Sequence, residues 1–285
     1  MSLPGKRVTS AERSLSAEEY EDFRSFLEKG SGIVLGENKH YLVVSRLFGL
    51  LDEFGVESMS ELLGRVKGGR TPRLRERVIE AMTTNETYWF RDNFPFDYLQ
   101  GSILKELGAA AKGPIRIWCA ACSTGQEPYS ISMAIQEYKS SNPGALRSDV
   151  EIVGTDISPA VLRDAQAARY ESLSMARGLS AERKQRFFVA HDRYWELKPE
   201  LRARVSFREL NLLQSYALLG RFDIVFCRNV LIYFSPESKR DILDRIAKVL
   251  NPGGYLLLGA SETMSGYSDA YEMVRAPRGV VYRRR

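Results

Sequence analysis

Apolar and polar positions divide the chain into two parts with different periodicities. In the amino-terminal quarter, apolar residues recur with helical spacing in three or four segments, interrupted at Gly30–Gly36 and Lys67–Pro72. Ser16 followed by Glu19 matches a capping box, which is typical of a helix start. The pattern predicts a small all-helical domain over residues 15–80.

The rest of the chain alternates short apolar runs with amphipathic helical patterns. Four such runs begin at Ile115, Val150, Phe222 and Tyr255. Continuous apolar runs suit strands that are buried on both faces of a parallel sheet. Strands that alternate with helices predict a doubly wound α/β sheet, which we place at residues 97–285.

Turn residues mark two boundaries in the last part of the chain. An amphipathic helix over Pro236–Leu250 is predicted to stop at Asn251–Gly254, before the strand Tyr255–Gly259. Tyr271–Arg275 and Gly279–Arg283 flank a turn region. They predict an antiparallel hairpin at one edge of the sheet, a feature common in open α/β sheets.

One stretch, Ile115–Ser130 (IRIWCAACSTGQEPYS), combines a buried strand, a small-residue turn and a helix start. Small side chains between Ala120 and Gly125 let the backbone approach a ligand, and Pro128 occupies the place of a first helical residue. Ligands bind at such crevices beside the carboxyl ends of strands. The turn has one glycine where the dinucleotide fingerprint has three, so the pattern favours S-adenosylmethionine over NAD.

Asp156 follows the apolar run Val150–Thr155 and is predicted to stand at the carboxyl end of the second strand. An acidic side chain there can accept hydrogen bonds from both ribose hydroxyls of a bound nucleoside. The spacing from Gly125 is longer than the roughly 20 residues of the usual unit. Ser158-Pro159 matches a helix N-cap and first residue, so a plain turn role for Asp156 stays open.

Length and composition suit a two-domain protein. The chain has 285 residues, of which 44% are hydrophobic, enough for two cores. No apolar run approaches the roughly 20 residues that span a bilayer, and the first residues lack the apolar stretch of a signal peptide. We therefore expect a cytoplasmic protein, with residues 1–14 disordered or tag-like and outside the fold.

The cysteine content argues against a disulfide framework or a metal site. Of the three cysteines, Cys119 and Cys122 form a C-x-x-C without a second pair, and there are only two histidines, His40 and His191. Zinc and thioredoxin-like redox chemistry are therefore disfavoured. Since cysteine is among the most buried residue types, we expect small-residue packing and no bound metal.

The net charge of +5 is unevenly distributed. Between Gly64 and Arg77 a single acid, Glu76, stands among six basic residues: Arg65, Lys67, Arg70, Arg73, Arg75 and Arg77. Such a stretch attracts an acidic partner, either a nucleic acid or a glutamate-rich protein surface. No aromatic residues for base stacking are interleaved with it. A solvated helix face next to a basic loop is the plain alternative.

The junction Thr83–Asp92, TTNETYWFRD, mixes polar and aromatic residues within a linker predicted at residues 81–96. Taken with five later motifs, it makes the chain resemble the CheR-type methyltransferases of bacterial chemotaxis receptors. The five motifs are AACSTGQEPYS (120–130), TDIS (155–158), FRELNLL (207–213), FCRNVLIYF (226–234) and LNPGGYLLLGASE (250–262). The resemblance covers residues 16–283, and the ordered set of six motifs makes it specific.

The resemblance implies an S-adenosylmethionine-dependent class I methyltransferase with a Rossmann-like sheet. In this family the methyl group goes to glutamate side chains on the cytoplasmic helical bundle of methyl-accepting chemotaxis proteins. The products are glutamate methyl esters and S-adenosylhomocysteine. The implied cofactor residues are Asn85, Thr87, Arg91, Glu127, Asp156, Asn211, Leu212, Arg228 and Asn229.

The resemblance also implies that two residues, Arg91 and Tyr233, act on the substrate carboxylate. Arg91 can orient it as a fork, and Tyr233 through a single hydroxyl. From the residues alone, a domain-linking ion pair for Arg91 and core packing for Tyr233 stay open. A glutamate substrate is already ionised at pH 7, so the lack of a candidate catalytic histidine is no objection.

Two strand-like runs, Arg186–Ala190 and Tyr194–Lys198, resemble the small antiparallel subdomain that the family inserts in its catalytic domain, here at about residues 171–202. In members tethered to a receptor's carboxyl-terminal pentapeptide, this subdomain adds the peptide as an extra strand beside a glycine-containing loop. No glycine occurs here from Leu179 to Leu219. A loop without glycine does not easily adopt positive φ. We therefore predict receptor recognition through the helical domain, without a tether.

Two other functions stay open from the sequence. One is a methyltransferase that acts on RNA or a small molecule, and the basic stretch Gly64–Arg77 is the only sequence feature that supports it. The other is a non-catalytic, cofactor-binding adaptor, against which the intact set of motif residues argues. Direct insertion into a membrane is not expected.

Overall fold

The structure is a computed structural model that describes residues 15–69, 71–110 and 113–285. Its contacts divide the chain into two compact units. One runs up to Thr84 and includes Tyr233–Ser235, and the other comprises Asn85–Ile232 and Pro236–Arg285. The predicted disordered or tag-like segment 1–14 lies outside the described residues.

The amino-terminal unit has four helices in its described part, and its predicted all-helical character is confirmed. The Ser16–Glu19 capping box forms through hydrogen bonds in both directions. Gly32, with φ of 79°, ends the first helix. Buried apolar residues from all four helices, including Leu27, Leu47 and Leu62, form one core. The helices are α1 (Ala17–Ser31), α2 (His40–Phe54), α3 (Met59–Lys67) and α4 (Pro72–Met82).

The second unit is an α/β structure. Its α-helices in the described ranges are α5 (Phe94–Tyr98), α6 (Leu104–Ala110), α7 (Gln126–Ser141), α8 (Pro159–Ala167), α9 (Ser172–Met175), α10 (Ala181–Phe187), α11 (Pro199–Arg202) and α12 (Pro236–Val249). Its strands there are β1 (Ile115–Ala120), β2 (Val150–Asp156), β3 (Arg169–Tyr170), β4 (Phe188–Ala190), β5 (Trp195–Leu197), β6 (Val205–Glu209), β7 (Phe222–Cys227), β8 (Leu250–Leu258), β9 (Tyr271–Ala276) and β10 (Gly279–Arg284). A π-helix, Leu99–Ile103, joins α5 to α6.

Seven of these strands form one sheet in the order β6-β2-β1-β7-β8-β10-β9. The first five strands of this order are parallel to their neighbours, and β10 pairs antiparallel with both β8 and β9. Ile117, Trp118 and Cys119 in β1 are each fully buried, which requires cover on both faces of the sheet. The predicted doubly wound sheet with an antiparallel edge hairpin is confirmed.

The three remaining strands form a small antiparallel sheet in the order β3-β5-β4. It lies between α8 and β6 along the chain, as the family resemblance implies for the inserted subdomain. Its first strand begins at Arg169, slightly before the predicted start of the insertion. The strand predicted after it at Ala203–Phe207 is β6, which runs instead from Val205 to Glu209.

Two further predicted boundaries differ from the structure. Helix α7 begins at Gln126, directly after the left-handed Gly125, and not at Pro128. Pro128 is then its third residue, where the missing N–H costs no intrahelical hydrogen bond. The predicted stop Asn251–Gly254 is the irregular start of β8, because β7 loses its regular pairing between Phe222 and Ile224.

Every helix within the described ranges is too short or too polar to cross a membrane.

Candidate functional site

The central strands bring the turn after β1 and two predicted site residues, Asp156 and Arg228, to one edge of the sheet. β2, β1 and β7 are parallel neighbours, so their carboxyl ends lie side by side. The turn after β1, Asp156 at the end of β2 and Arg228 directly after β7 therefore share this edge. Open parallel sheets bind their ligands in the crevice outside these strand ends.

The turn between β1 and α7 has an unusual backbone. Ala121, Ser123 and Gly125 have φ values of 60°, 50° and 90°. A Cβ at Gly125 would lie 3.0 Å from the Ala165 Cβ and 3.2 Å from the Tyr170 hydroxyl, so a larger residue does not fit. Left-handed non-glycine residues cost energy and cluster at ligand-binding sites. The small-residue turn predicted from the sequence therefore has the backbone geometry of a ligand-binding turn.

Asp156 is buried, with 6% of its surface exposed. Its Oδ2 accepts the Ser123 N–H at 2.8 Å, and its Oδ1 accepts the Ser158 N–H at 3.1 Å. Burial raises the pKa of Asp156, and these backbone hydrogen bonds oppose the shift. The carboxylate thus stabilises the backbone of the turns after β1 and β2. Since a carboxylate offers about four acceptor positions, it retains capacity for hydroxyl donors as well.

Arg228 is the centre of a buried ion cluster at the same edge. Its side chain is 1% exposed and donates to Glu127 Oε2 at 2.8 Å and to Asp92 Oδ2 at 2.7 Å. A third hydrogen bond, of 2.8 Å, goes to the Arg91 carbonyl. Burial raises the pKa of Glu127, and the positive charge of Arg228 opposes this shift. Because an unpaired buried charge is costly, these groups depend on one another.

Two buried guanidinium donors at this edge lack an acceptor among the described residues. The Nε atoms of Arg91 and Arg228 are buried and form no hydrogen bond to any described residue. Since buried polar groups are normally satisfied, two such donors point to an acceptor supplied by a ligand. S-adenosylmethionine carries a carboxylate that can accept from them. It also carries an ammonium group and ribose hydroxyls that can donate to Glu127 and Asp156, so the residues fit this cofactor.

The predicted cofactor residues Asn85 and Thr87 lie in the segment that opens the second unit. The Asn85 carbonyl accepts the Ser123 hydroxyl at 2.9 Å, which binds this segment to the turn after β1. Farther along, Arg91 Nη1 donates to the Glu86 carbonyl at 3.1 Å. The segment is therefore held at the same edge of the sheet as Asp156.

A buried tryptophan anchors this segment to the inserted subdomain. Trp89 is fully buried, and its Nε1 donates to the Ser174 carbonyl at 3.0 Å. A Cβ at Gly178, which has φ of 82°, would clash with the Trp89 carbonyl oxygen. Only glycine fits there, so the loop after α9 packs directly on the backbone of the segment.

Asn211 and Leu212 follow β6, the neighbour of β2. The Leu210 N–H donates to the Asp156 carbonyl at 2.9 Å, which keeps this segment beside the end of β2. Asn211 Oδ1 accepts the Leu213 N–H at 2.9 Å, and Leu212 is buried. A buried apolar side chain next to an amide suits the adenine position that the resemblance implies, and this role stays a prediction.

Asn229 and Tyr233 fall in different units. Asn229 has φ of 57°, and its N–H donates to Glu262 Oε2 at 2.7 Å. Tyr233 belongs to the amino-terminal unit, where its carbonyl accepts the Val34 N–H at 2.8 Å. It is half-buried, and core packing, the plain alternative for this residue, stays open. Its action on a substrate stays a prediction.

The cysteines take no part in this arrangement as reactive groups. Cys119, Cys122 and Cys227 are buried, and burial raises the pKa of each thiol well above its usual value. They pack as small apolar residues, as predicted. Within the described ranges, no group of three or more His, Cys, Asp or Glu side chains is arranged to hold a metal.

Comparison with known proteins identifies the family. The model of the CheR methyltransferase SAM-binding domain matches residues 85–280, and that of the CheR all-alpha domain matches residues 18–83. The chain belongs to the CheR methyltransferase family. Chemotaxis protein methyltransferase 1 of Pseudomonas aeruginosa is 56% identical over 93% of this chain and 97% of its own. A chemotaxis protein methyltransferase of Vibrio parahaemolyticus is 52% identical over 95% of this chain and 98% of its own.

These matches confirm three predictions made from the motifs: the CheR family, the methyltransferase class and S-adenosylmethionine as cofactor. Two side chains of the site were missed by sequence reasoning, Asp92 in the ion cluster and Glu262 beside Asn229. Asp92 directly follows Arg91 in the motif TTNETYWFRD, and Glu262 is the last residue of LNPGGYLLLGASE. An acid in a motif is the only signal that could have drawn attention to them.

Proposed function

We propose that this CheR-family enzyme methylates glutamate side chains on the cytoplasmic helical bundle of chemotaxis receptors. The observation that supports the proposal best is that both units match CheR family models. Relatives named chemotaxis protein methyltransferases are also similar to this chain over nearly its whole length. The products are glutamate methyl esters and S-adenosylhomocysteine, and the reaction takes place in the cytoplasm.

The chemistry requires no general base. When bound, S-adenosylmethionine would supply the electrophilic methyl group and would leave as the neutral thioether S-adenosylhomocysteine. The glutamate carboxylate is ionised at pH 7, so no side chain has to remove a proton. A carboxylate and a sulfonium become a neutral ester and a neutral thioether, so a site from which the chain excludes water favours the step. Alignment then provides most of the acceleration.

The proposed cofactor contacts follow the chemistry of the side chains. Asp156 accepts the ribose hydroxyls, and Asn211 and Leu212 lie beside the adenine. The orphan Nε donors of Arg91 and Arg228 suit the methionine carboxylate. The remaining contacts near the methionine part are assigned to Asn85, Thr87, Glu127 and Asn229.

Arg91 and Tyr233 are proposed to orient the glutamate carboxylate. A guanidinium that bound it too tightly would stabilise the ground state, whereas one hydroxyl orients without neutralising. Tyr233→Phe should therefore lower kcat and leave S-adenosylhomocysteine affinity near the wild-type value. Steady-state kinetics on a receptor fragment, with calorimetry for the affinity, checks this. A normal kcat in Tyr233→Phe would remove the hydroxyl from the mechanism.

Recognition of the receptor is proposed to be direct, without a carboxyl-terminal pentapeptide tether. The loop between β4 and β5 is a tight turn in which the His191 N–H donates to the Tyr194 carbonyl at 2.9 Å. All its described residues have negative φ, so the turn offers none of the room that a glycine loop gives an added strand. Binding of a fluorescent pentapeptide of the tethering type to the enzyme should not saturate up to high micromolar concentration. Saturable binding with a low-micromolar Kd would overturn the proposal of tether-free recognition and leave the methyltransferase proposal untouched.

The central test is methyl transfer to receptor glutamates. The enzyme is incubated with methyl-labelled S-adenosylmethionine and receptor-rich membranes, and label release is measured in mild base. Base-labile label on the receptor is expected, and it should disappear when the membranes carry a receptor whose bundle glutamates are replaced by alanine. Base-stable label, or label on RNA with a steep salt dependence, would favour a different substrate.

A further inference from the structure

Glu262, which is not among the predicted site residues, accepts hydrogen bonds from several backbone N–H groups of the loop after β7. Glu262 Oε2 accepts the Asn229 N–H at 2.7 Å and the Gly259 N–H at 2.8 Å. Its Oε1 accepts the Val230 N–H at 3.0 Å and the Ile232 N–H at 3.3 Å. Both oxygens thus use two acceptor positions, and the carboxylate is fully engaged with backbone donors.

The loop that Glu262 binds, Asn229–Ile232, begins with a left-handed residue. Asn229 has φ of 57°, in the left-handed region that asparagine adopts more readily than most residues but less readily than glycine. Residues in this region persist only when their surroundings fix them, and they cluster at functional sites. Hydrogen bonds to a charged acceptor are about twice as strong as neutral ones. Glu262 supplies one of these directly to the strained residue.

Gly259 packs closely against both the carboxylate and the loop. A Cβ at Gly259 would lie 2.7 Å from Glu262 Oε2 and 2.8 Å from Asn229 Nδ2. Gly259 therefore lets the carboxylate and the loop approach each other. Glu262 also contributes to the raised pKa of Glu127, which places its charge within electrostatic reach of the ion cluster around Arg228.

We infer that Glu262 is a positioning residue for methyl transfer, which fixes the backbone of Asn229–Ile232 and thereby the Asn229 side chain. This rests on the proposed function only in that Asn229 is assigned to the cofactor. The loop begins directly after Arg228 at the end of β7 and leads, one residue beyond Ile232, to Tyr233. A shift of this backbone by a fraction of an ångström displaces every group that it carries.

The chemistry of the acceptor makes the inference testable with an isosteric change. A glutamine at this position keeps one oxygen and replaces the other with an NH₂ donor. Whichever way the amide turns, two backbone N–H groups face a donor and lose their acceptor. Glu262→Gln should therefore loosen the loop without creating a cavity.

The experiment compares Glu262→Gln with Asp223→Asn. Asp223 is a matched control, because its Oδ2 accepts a backbone N–H, that of Arg116, at 2.8 Å near the opposite end of β7. We expect both variants to lower the melting temperature. Glu262→Gln alone should weaken S-adenosylhomocysteine binding in calorimetry, by roughly tenfold or more, and speed amide exchange in the peptide that spans 228–233.

Each outcome has a definite meaning. Wild-type affinity and exchange in Glu262→Gln, or equal losses of affinity in Glu262→Gln and Asp223→Asn, would overturn the positioning role. Neither readout uses a receptor, so an error in the proposed substrate would leave both unchanged.

If Glu262→Gln does not fold, Gly259→Ala provides the second variant, since its Cβ would press on Glu262 and Asn229. Gly113→Ala, which has open space around it, is the matched control.

Discussion

Asp156 and Glu262 show how single carboxylates shape the edge of the sheet. Both accept hydrogen bonds from backbone N–H groups in the loops that follow the strands. A hydrogen bond to a charged group contributes about 1.5–3 kcal/mol. Each carboxylate therefore fixes the local backbone whether or not a ligand is bound. A substitution at either position changes stability as well as binding, and the two effects must be measured separately.

Asp156→Asn should weaken binding of S-adenosylhomocysteine by roughly tenfold to a hundredfold, because an amide is a weaker acceptor for the ribose hydroxyls. Its free energy of unfolding should also fall, since the Ser123 and Ser158 N–H groups lose a charged partner. Isothermal calorimetry and urea unfolding measure the two effects. Asp223→Asn is the control that should lose stability only. Unchanged affinity in a folded Asp156→Asn protein would remove this residue from the cofactor site.

Glu127 should produce a pH dependence of stability with a defined sign. Burial raises the pKa of this carboxyl above its ordinary value of 4.5, so just above that pH the folded state binds more protons than the unfolded chain. Its contribution to stability therefore falls as the pH rises from about 4.5 towards the raised pKa. Glu127→Gln removes this titration. The wild-type minus variant difference in free energy of unfolding should decrease over that window.

A control of opposite sign is available on α7. Glu137 is also partly buried, but its hydrogen bonds and ion pair with Arg183 lower its pKa. For Glu137→Gln, the wild-type minus variant difference should therefore increase as the pH rises towards 4.5. Urea titrations at a series of pH values check both. Differences that move in the same direction for the two variants would contradict the assignment for Glu127.

The residue scale also shows where sequence reasoning ends. Asp156 could be predicted because a strand and a helix start bracket it. Asp92 and Glu262 could not, because their partners are a buried guanidinium distant in sequence and a row of backbone N–H groups. No spacing rule describes such contacts. They arise only when the fold brings separate strand ends together.

At the scale of elements, periodicity predicted most of the structure. The four amino-terminal helices, the parallel strands and the edge hairpin follow from apolar spacing, capping residues and turns. The errors fall at boundaries where local rules compete. Pro128 lies inside the first turn of α7, where proline is tolerated, and Asn251–Gly254 opens β8 as an irregular segment. Pairing with a neighbouring strand, which a single segment does not reveal, decides the second case.

The contact between the inserted subdomain and the junction gives an element-scale prediction. Gly178→Ala should lower the free energy of unfolding by roughly 1–3 kcal/mol, through its left-handed φ and the clash with the Trp89 carbonyl. It should also weaken S-adenosylhomocysteine binding, because the displaced segment carries Asn85 and Arg91. Gly144→Ala is the control, since its φ of 79° is similar but nothing lies within 4 Å.

The same two measurements, urea unfolding and calorimetry, separate strain from displacement. Gly144→Ala should lose stability from backbone strain alone and keep its cofactor affinity. Equal effects of the two substitutions on affinity would show that the subdomain loop does not position the junction.

At the scale of the whole molecule, the basic stretch of the helical unit is less available than its composition indicates. Three of its cations are engaged by acids of the same unit, in ion pairs that are partly exposed and contribute little stability. The paired acids nevertheless cancel much of the positive electrostatic potential of the basic stretch. The pairs are Arg65 with Glu61, Lys67 with Asp22, and Arg77 with Glu53 and Glu80. Among the described residues of the stretch, Arg73 and Arg75 form no ion pair, although Arg75 lies over the Phe26 ring.

If the helical unit docks on an acidic receptor bundle, these two arginines should carry most of the electrostatic attraction. The double substitution Arg73→Glu with Arg75→Glu should raise KM for a receptor fragment by about tenfold at low salt, because like charges then face each other. The effect should shrink as salt screens the charges, and S-adenosylhomocysteine affinity should not change. Arg221→Glu with Lys248→Glu changes the net charge equally in the second unit and should leave KM near wild type. Equal KM increases in both double variants would show that overall charge, and not this face, governs the encounter. A wild-type KM that does not depend on salt would remove the electrostatic contribution.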